Sequence, residues 1–336
     1  MSSATVGDQL GSTRSAGVRS LFSNPSVLAN FGPLFALILA GVYFTSQTDR
    51  FLSGTNLSLV VQQSMVVGVL AIGQTLIILT AGIDLSCGAV MALGGIVMTR
   101  EATEGGVNPY LAILLGLGAC TAFGFLNGAL ITKIRLPPFI VTLGTLNIAF
   151  ALTHIYSRER TVTGVPDEQL YFGNTFRVNT TTITYGMIMM FALFLVVWFI
   201  LGQTTIGRHI YAVGNNPEAA RLTGINTQRL LVIVYTFAGL LYGVAAMLFV
   251  ARTGVGDPNA GQTDNLSTIT AVVLGGTSLF GGRGTILGTL VGVLIVGVIR
   301  NGLQLIGVGA VYQILVTGVL VIVAVAVDQI SRRKQA

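Results

Sequence analysis

Apolar residues along this chain fall into long runs separated by short polar stretches. FALILAGVYF (35–44), TYGMIMMFALFLVVWFI (184–200) and LLVIVYTFAGLLYGVAAMLFV (230–250) reach or approach the roughly 20 apolar residues that carry a helix across a bilayer core. A membrane barrel strand would alternate apolar and polar positions, and these runs do not. The pattern predicts an all-α fold: a polytopic membrane helix bundle of about ten transmembrane helices, surrounded by membrane lipid. The candidate spans are 31–47, 64–81, 87–100, 110–132, 139–156, 184–202, 229–251, 265–280, 285–300 and 312–328. Two of them, 87–100 and 265–280, are short for a full crossing and are expected to be broken or re-entrant. Outside the spans no segment is long enough to bury a core of its own. The expected organisation is a tail at 1–28, a transmembrane domain at 29–330 with a polar loop at 203–228, and a second tail at 331–336.

That polar loop differs from the other interruptions. Its core reads GRHIYAVGNNPEAARLTGINTQRL (207–230). Asn216 suits a helix N-cap and Pro217 the first helical position. Glu218 falls in the first turn, where the helix dipole favours an acid, and Arg221 is spaced to pair with it. Gly224 stands where a left-handed stop is expected. The spacing predicts a helix of about seven residues, roughly 10 Å long. A helix that short is not stable alone in water, so it must dock. Ala219, Ala220 and Leu222 offer small apolar contacts, either to the chain's own bundle or to a groove on a partner.

Charge sets the orientation. Ten spans put both ends of the chain on one side, and with the first end inside, 11 of the 18 Lys and Arg residues fall on inner segments. The polar loop is then cytoplasmic, and the largest outer loop runs from Ser157 to Ile183. The first two dozen residues, rich in Ser and Gly, are expected to be a disordered tail before an uncleaved first span. The net charge of +6 comes from scattered basic residues with no aromatic-interleaved patch, so it points to topology and not to nucleic acid. Cys87 and Cys120 lie in apolar segments without metal-type spacing and are expected to be buried small residues. The 43 glycines include four-residue spacings, Gly124/Gly128, Gly239/Gly243 and Gly284/Gly288/Gly292, that place glycines on one helix face for close packing.

The chain resembles the permease subunits of ribose-type (ribose, xylose, fructose, galactose) sugar ABC importers. The resemblance rests on LTAGIDLSCGAVMALGG (79–95), LPPFIVTLGT (136–145), the 207–230 loop and AVVLGGTSLFGGRGTILGTLVG (271–292), which follow in the family's order from about residue 56 to 328. It implies three partners: a second permease subunit, identical or related, a cytoplasmic ABC ATPase and a periplasmic sugar-binding protein, in the bacterial inner membrane. It also implies that Gly207, Arg208, Gly214, Asn215, Pro217, Glu218, Ala219, Arg221 and Gly224 form the segment that couples to the ATPase. The combination of LPPFIVTLG, SLFGGRG and AVAVDQ looks closest to fructose-type members, with ribose or xylose close behind.

Other residues are weighed one by one. Lys133 and Lys334 are the chain's two lysines and neither stands in a P-loop, so an ATP drive must come from another chain. Asp84, in AGIDLSCG, either caps the following helix through N–H groups near Ser86 and Cys87 or, together with Ser86, lines the permeation path. Gln62, Gln63, Gln74, Asn127, Asn147 and Gln304 are amides in or beside spans, serving either as interhelical glue or as a neutral lining for a polyol. Arg283, in GGRG, either anchors a tight inner turn or meets the ATPase. No catalytic set, cofactor motif or metal set is readable, and none is expected. The rival readings are an ion-coupled secondary transporter, which would call for buried acids or histidines within spans, and a membrane enzyme.

Overall fold

The computed structural model describes residues 25–333 apart from Thr180. Most of the predicted first tail, and the end of the second, lie outside the described residues. The chain folds as α1 (Pro25–Gln47), α2 (Gly54–Leu79), α3 (Cys87–Thr103), α4 (Pro109–Lys133), α5 (Pro138–Ser157), the short α6 (Asp167–Leu170) and a 3-10 turn. A hairpin, β1 (Thr175–Val178) and β2 (Thr181–Thr184), follows with Thr175 opposite Thr184. Then come α7 (Tyr185–Gln203), α8 (Thr205–Asn215), α9 (Pro217–Leu222), α10 (Thr227–Thr253), α11 (Asp264–Leu274), α12 (Ile286–Leu305) and α13 (Ala310–Arg333).

Each predicted span meets a helix, but the count of full crossings differs. Among the described residues seven helices are long and apolar enough to cross a membrane: α2, α4, α5, α7, α10, α12 and α13. At 17 and 11 residues, α3 and α11 are too short, and each follows a non-helical strap, 80–86 and 254–263. The first helix begins at Pro25, inside the predicted tail, and α13 runs to Arg333. Gly284 corrects the predicted glycine face: it lies before α12 with φ +144°, so only Gly288 and Gly292 share that helix. The polar loop expected to be outer is built as α6, the 3-10 turn and the hairpin, and an antiparallel bridge ties Val162 to Gly256.

Glycine positions show how the helices pass one another. A Cβ on Gly124 would lie 2.3 Å from the Tyr235 carbonyl, and one on Gly239 2.5 Å from that of Cys120, so α4 and α10 meet backbone to backbone and antiparallel. The same holds for α11 and α12, where Gly292 faces the Ala271 carbonyl and Gly288 that of Gly275. A Cβ on Gly73 would touch Tyr242 and Ala238, while Met65 and Leu248 meet around Gly186, so α2 and α10 also run antiparallel.

These contacts resolve into two lobes of opposite direction. In one, α3 and α4 pack on α10 and α5 packs on α3; in the other, α11 and α12 pack on α2 and α13 packs on α11. Each set of four helices, α2–α5 and α10–α13, has the same order: long helix, strap with short helix, then two long helices. Antiparallel α2 and α10 exchange partners between the sets, so the lobes interlock. The lobes meet along α2/α10 and where α3 touches α11, and α2 and α10 are the most buried of the seven spans.

Candidate functional site

The α8–α9 segment sits at one end of the bundle across the α2/α10 seam, touching both helices. Its first part, α8, has one buried edge, Gly207, Ile210, Val213 and Gly214, spaced three to four apart, while Arg208 and His209 face outward. Gly214 is fixed by close approach: a Cβ there would fall 1.7 Å from the Leu79 carbonyl and 2.6 Å from the Gly282 nitrogen. The Gly282 N–H donates to the Leu79 carbonyl at 3.0 Å, and the Tyr211 hydroxyl donates to the Gly284 carbonyl at 2.9 Å. Burial raises the Tyr211 pKa, so the hydroxyl remains a donor at neutral pH. One small knot therefore joins α8, the end of α2 and the turn that leads into α12.

From this knot projects α9. The Asn216 side chain accepts from the Ala219 N–H at 3.0 Å, and Pro217 opens the helix. Arg221 and Glu218 pair at 3.2 Å, both side chains largely in solvent, where such a pair stabilises little. The stop is closed by Gly224 at φ +90° and by the Ile225 N–H on the Ala220 carbonyl at 3.2 Å. Ala220 is the buried anchor; Pro217, Glu218, Ala219, Arg221 and Leu222 are exposed, with Leu222 at 79%. An apolar tip on a capped six-residue helix is a rigid knob without a cover among the described residues.

The strap before α3 holds a second polar centre. Asp84 is buried; its Oδ1 accepts from the Ser86 N–H at 2.7 Å and from the Ser86 hydroxyl at 2.6 Å, and its Oδ2 from the Tyr242 hydroxyl at 3.2 Å. Asn127 donates to the Ser86 hydroxyl at 3.2 Å. Asp84 thus pins the strap to α10 and, through Ser86, to α4. Its carboxylate satisfies the turn just before α3, close to the capping role considered from the sequence.

The remaining path candidates do not form one cluster. Gln62 and Gln63 are half-buried on α2, twelve and eleven residues before Gln74, which on a helix is roughly 17–18 Å. Gln74 is buried, with no hydrogen bond to either amide atom among the described residues. Asn147 is exposed on α5 and donates back to the Leu143 carbonyl at 2.9 Å. Sequence reasoning passed over Tyr242 and Tyr211, and it placed a tight turn at GGRG without its contact to Gly214. Two tyrosines interrupting apolar or amphipathic helices were the available signal, since a buried phenol needs a partner.

Comparison with known proteins bears on this geometry. Residues 56–325 match the family described as "Branched-chain amino acid transport system / permease component". The chain belongs to this family. It is 41% identical over 322 residues to the fructose import permease protein of Rhizobium meliloti, covering 94% of this chain and 88% of that one. It is 39% identical over 312 residues to the ribose import permease protein of Bacillus subtilis (92% and 95% covered). With the D-allose transport system permease protein of Escherichia coli it shares 36% over 304 residues (89% and 91%). No solved structure matches it. The chain is thus a multi-pass membrane permease of the ABC importer type.

Proposed function

We propose that this chain is the membrane-spanning subunit of an ATP-driven monosaccharide importer of the bacterial inner membrane, paired with a second permease copy or relative. In this reading a periplasmic binding protein delivers the sugar to the hairpin-bearing end. A cytoplasmic ATPase grips the α8–α9 knob at the other, so the ends near residues 25 and 333 are cytoplasmic. The supporting observation is the 41% identity, over nearly the whole chain, to a fructose import permease, with ribose and allose permeases close behind. Fructose is the first sugar to test.

The α8–α9 geometry supports a mechanical role. A rigid knob transmits a partner's movement only if its base is stiff, and the base here is the Gly214–Leu79–Gly282 knot, which holds α8 to the α2 lobe, while α8 and α9 also touch α10 of the other. A shift of the ATPase would load the α2/α10 seam directly.

The test is reconstitution in proteoliposomes with the ATPase and binding protein encoded beside this chain. Uptake of labelled fructose, ribose or allose that needs ATP and both partners is the expected result. Uptake by this chain alone under an ion gradient would instead establish the secondary-transporter reading.

A further inference from the structure

Where the two straps meet, the chain forms a partly open cavity of about 180 Å³ that none of the path candidates read from the sequence lines. It lies beside the contact of α3 with the 254–263 strap. Gly88 and Gly261 approach there so closely that a Cβ on Gly88 would fall 2.2 Å from the Gly261 carbonyl. The cavity is therefore on the junction between the lobes. Its walls are Leu85 and Ala89 from the first strap and α3, Leu146 and Phe150 from α5, and Gln262 and Asn265 from the second strap and α11.

We infer that this cavity is a monosaccharide contact site on the translocation route, with the Phe150 ring and the Gln262 and Asn265 amides as its recognition groups; this rests on the proposed import function. Three observations carry it. The volume is well below the roughly 300–1,000 Å³ of pockets for drug-sized ligands and suits a single-ring solute. No charged residue lines it, which disfavours an ionic or phosphorylated solute, since a buried charge needs a partner. The lining pairs an aromatic ring and aliphatic side chains with two amides. A sugar ring is matched to that surface, with a C–H face for the apolar wall and a rim of hydroxyls that both donate and accept.

The groups are held in place by their neighbours. His154 packs on Phe150 at 4.2 Å between ring centroids and bonds the Phe150 carbonyl through Nδ1 at 2.9 Å. Asn265 Nδ2 donates to the Leu85 carbonyl at 3.4 Å, tying the two straps across the cavity. Gln262 Nε2 donates to Asn259 Oδ1 at 2.9 Å, and its Oε1 has no donor among the described residues. Because both straps contribute, any sliding of one lobe on the other reshapes the site, which is what a route that opens alternately to two sides requires.

The experiment uses the complete transporter in proteoliposomes and measures uptake of labelled fructose, ribose and allose, with subunit co-purification as the control for assembly. Ala89→Leu, which fills the cavity, should cut uptake at least about tenfold, and Phe150→Leu about fivefold, while Phe150→Tyr, which keeps the ring, stays within about twofold of wild type. Gln262 is exposed, so Gln262→Ala carries the test even where a bulkier change upsets assembly; it should alter the relative uptake of the three sugars. Assembled Ala89→Leu, Phe150→Leu and Gln262→Ala transporters that all match wild type in rate and preference would overturn the site. So would Phe150→Tyr falling as far as Phe150→Leu. A wild-type complex that imports no sugar would overturn the proposed function itself, and the site with it.

Discussion

Single atoms decide two features of this molecule. At Gly214 the space for a Cβ is already occupied by the Leu79 carbonyl, whereas at Gly144 nothing lies within 4 Å. Gly214→Ala must push backbone apart, and overpacking of that kind costs about 1–3 kcal/mol or more. Thermal unfolding in detergent should show a melting point several degrees lower for Gly214→Ala and unchanged or higher for Gly144→Ala. Asp84 is the second case. Asp84→Ala strands three donors, the Ser86 N–H and hydroxyl and the Tyr242 hydroxyl, in a buried site, at about 1–3 kcal/mol for each left unsatisfied. Asp84→Asn keeps an acceptor for Ser86 and should lose clearly less in the same measurement; equal losses would mean that the carboxylate does not hold the strap. Asp84 stood out in the sequence because an acid among apolar runs is costly. Its partner Tyr242, 158 positions away, did not, because a tyrosine in an apolar helix looks like any other large residue until the fold sets it against the acid.

At the level of elements, α9 was legible almost residue by residue, because capping chemistry is local: Asn216, Pro217 and Gly224 act within a few positions of themselves. The short lengths of α3 and α11 were also visible in the apolar pattern. Their straps were not, since a non-helical turn inside a bundle takes its form from neighbours distant in sequence, as Gly261 does from Gly88. Whether the scattered amides are interhelical glue or a lining stays open in the sequence, because composition carries no distances. If α9 is the ATPase contact, binding and folding should separate. Glu218 and Leu222 lie in solvent, so Glu218→Lys and Leu222→Asp should leave the melting point within about 0.5 kcal/mol equivalent of wild type. Both should weaken co-purification of the ATPase and lower ATP-driven uptake. Gly224→Val adds a β-branched side chain at φ +90° and should distort the knob itself, losing both uptake and local protection in hydrogen exchange. Full uptake in all three variants would remove α9 from the drive.

The whole molecule has a property that no single helix has: its two antiparallel lobes exchange their central helices, so they interlock along α2/α10 and α3/α11. Nothing in the local sequence announces this, because the two halves share an order of lengths and breaks and not a repeated motif. The two free cysteines sample the two kinds of contact. Cys87 lies on the seam, its thiol 3.7 Å from the Thr268 hydroxyl across α3 and α11. Cys120 lies inside one lobe, where its thiol bonds the Val90 carbonyl at 3.2 Å and its neighbours are the α3 and α10 glycines Gly94 and Gly239. At rest both are buried and should react slowly with a small maleimide. If transport works by lobe sliding, cycling the assembled transporter with ATP should speed the labelling of Cys87, read by peptide mass spectrometry, and leave Cys120 protected. Chemical denaturation should expose both together. Equal rates for the two thiols during turnover would mean that motion runs through the lobes and not between them, and the seam would then be a static core contact.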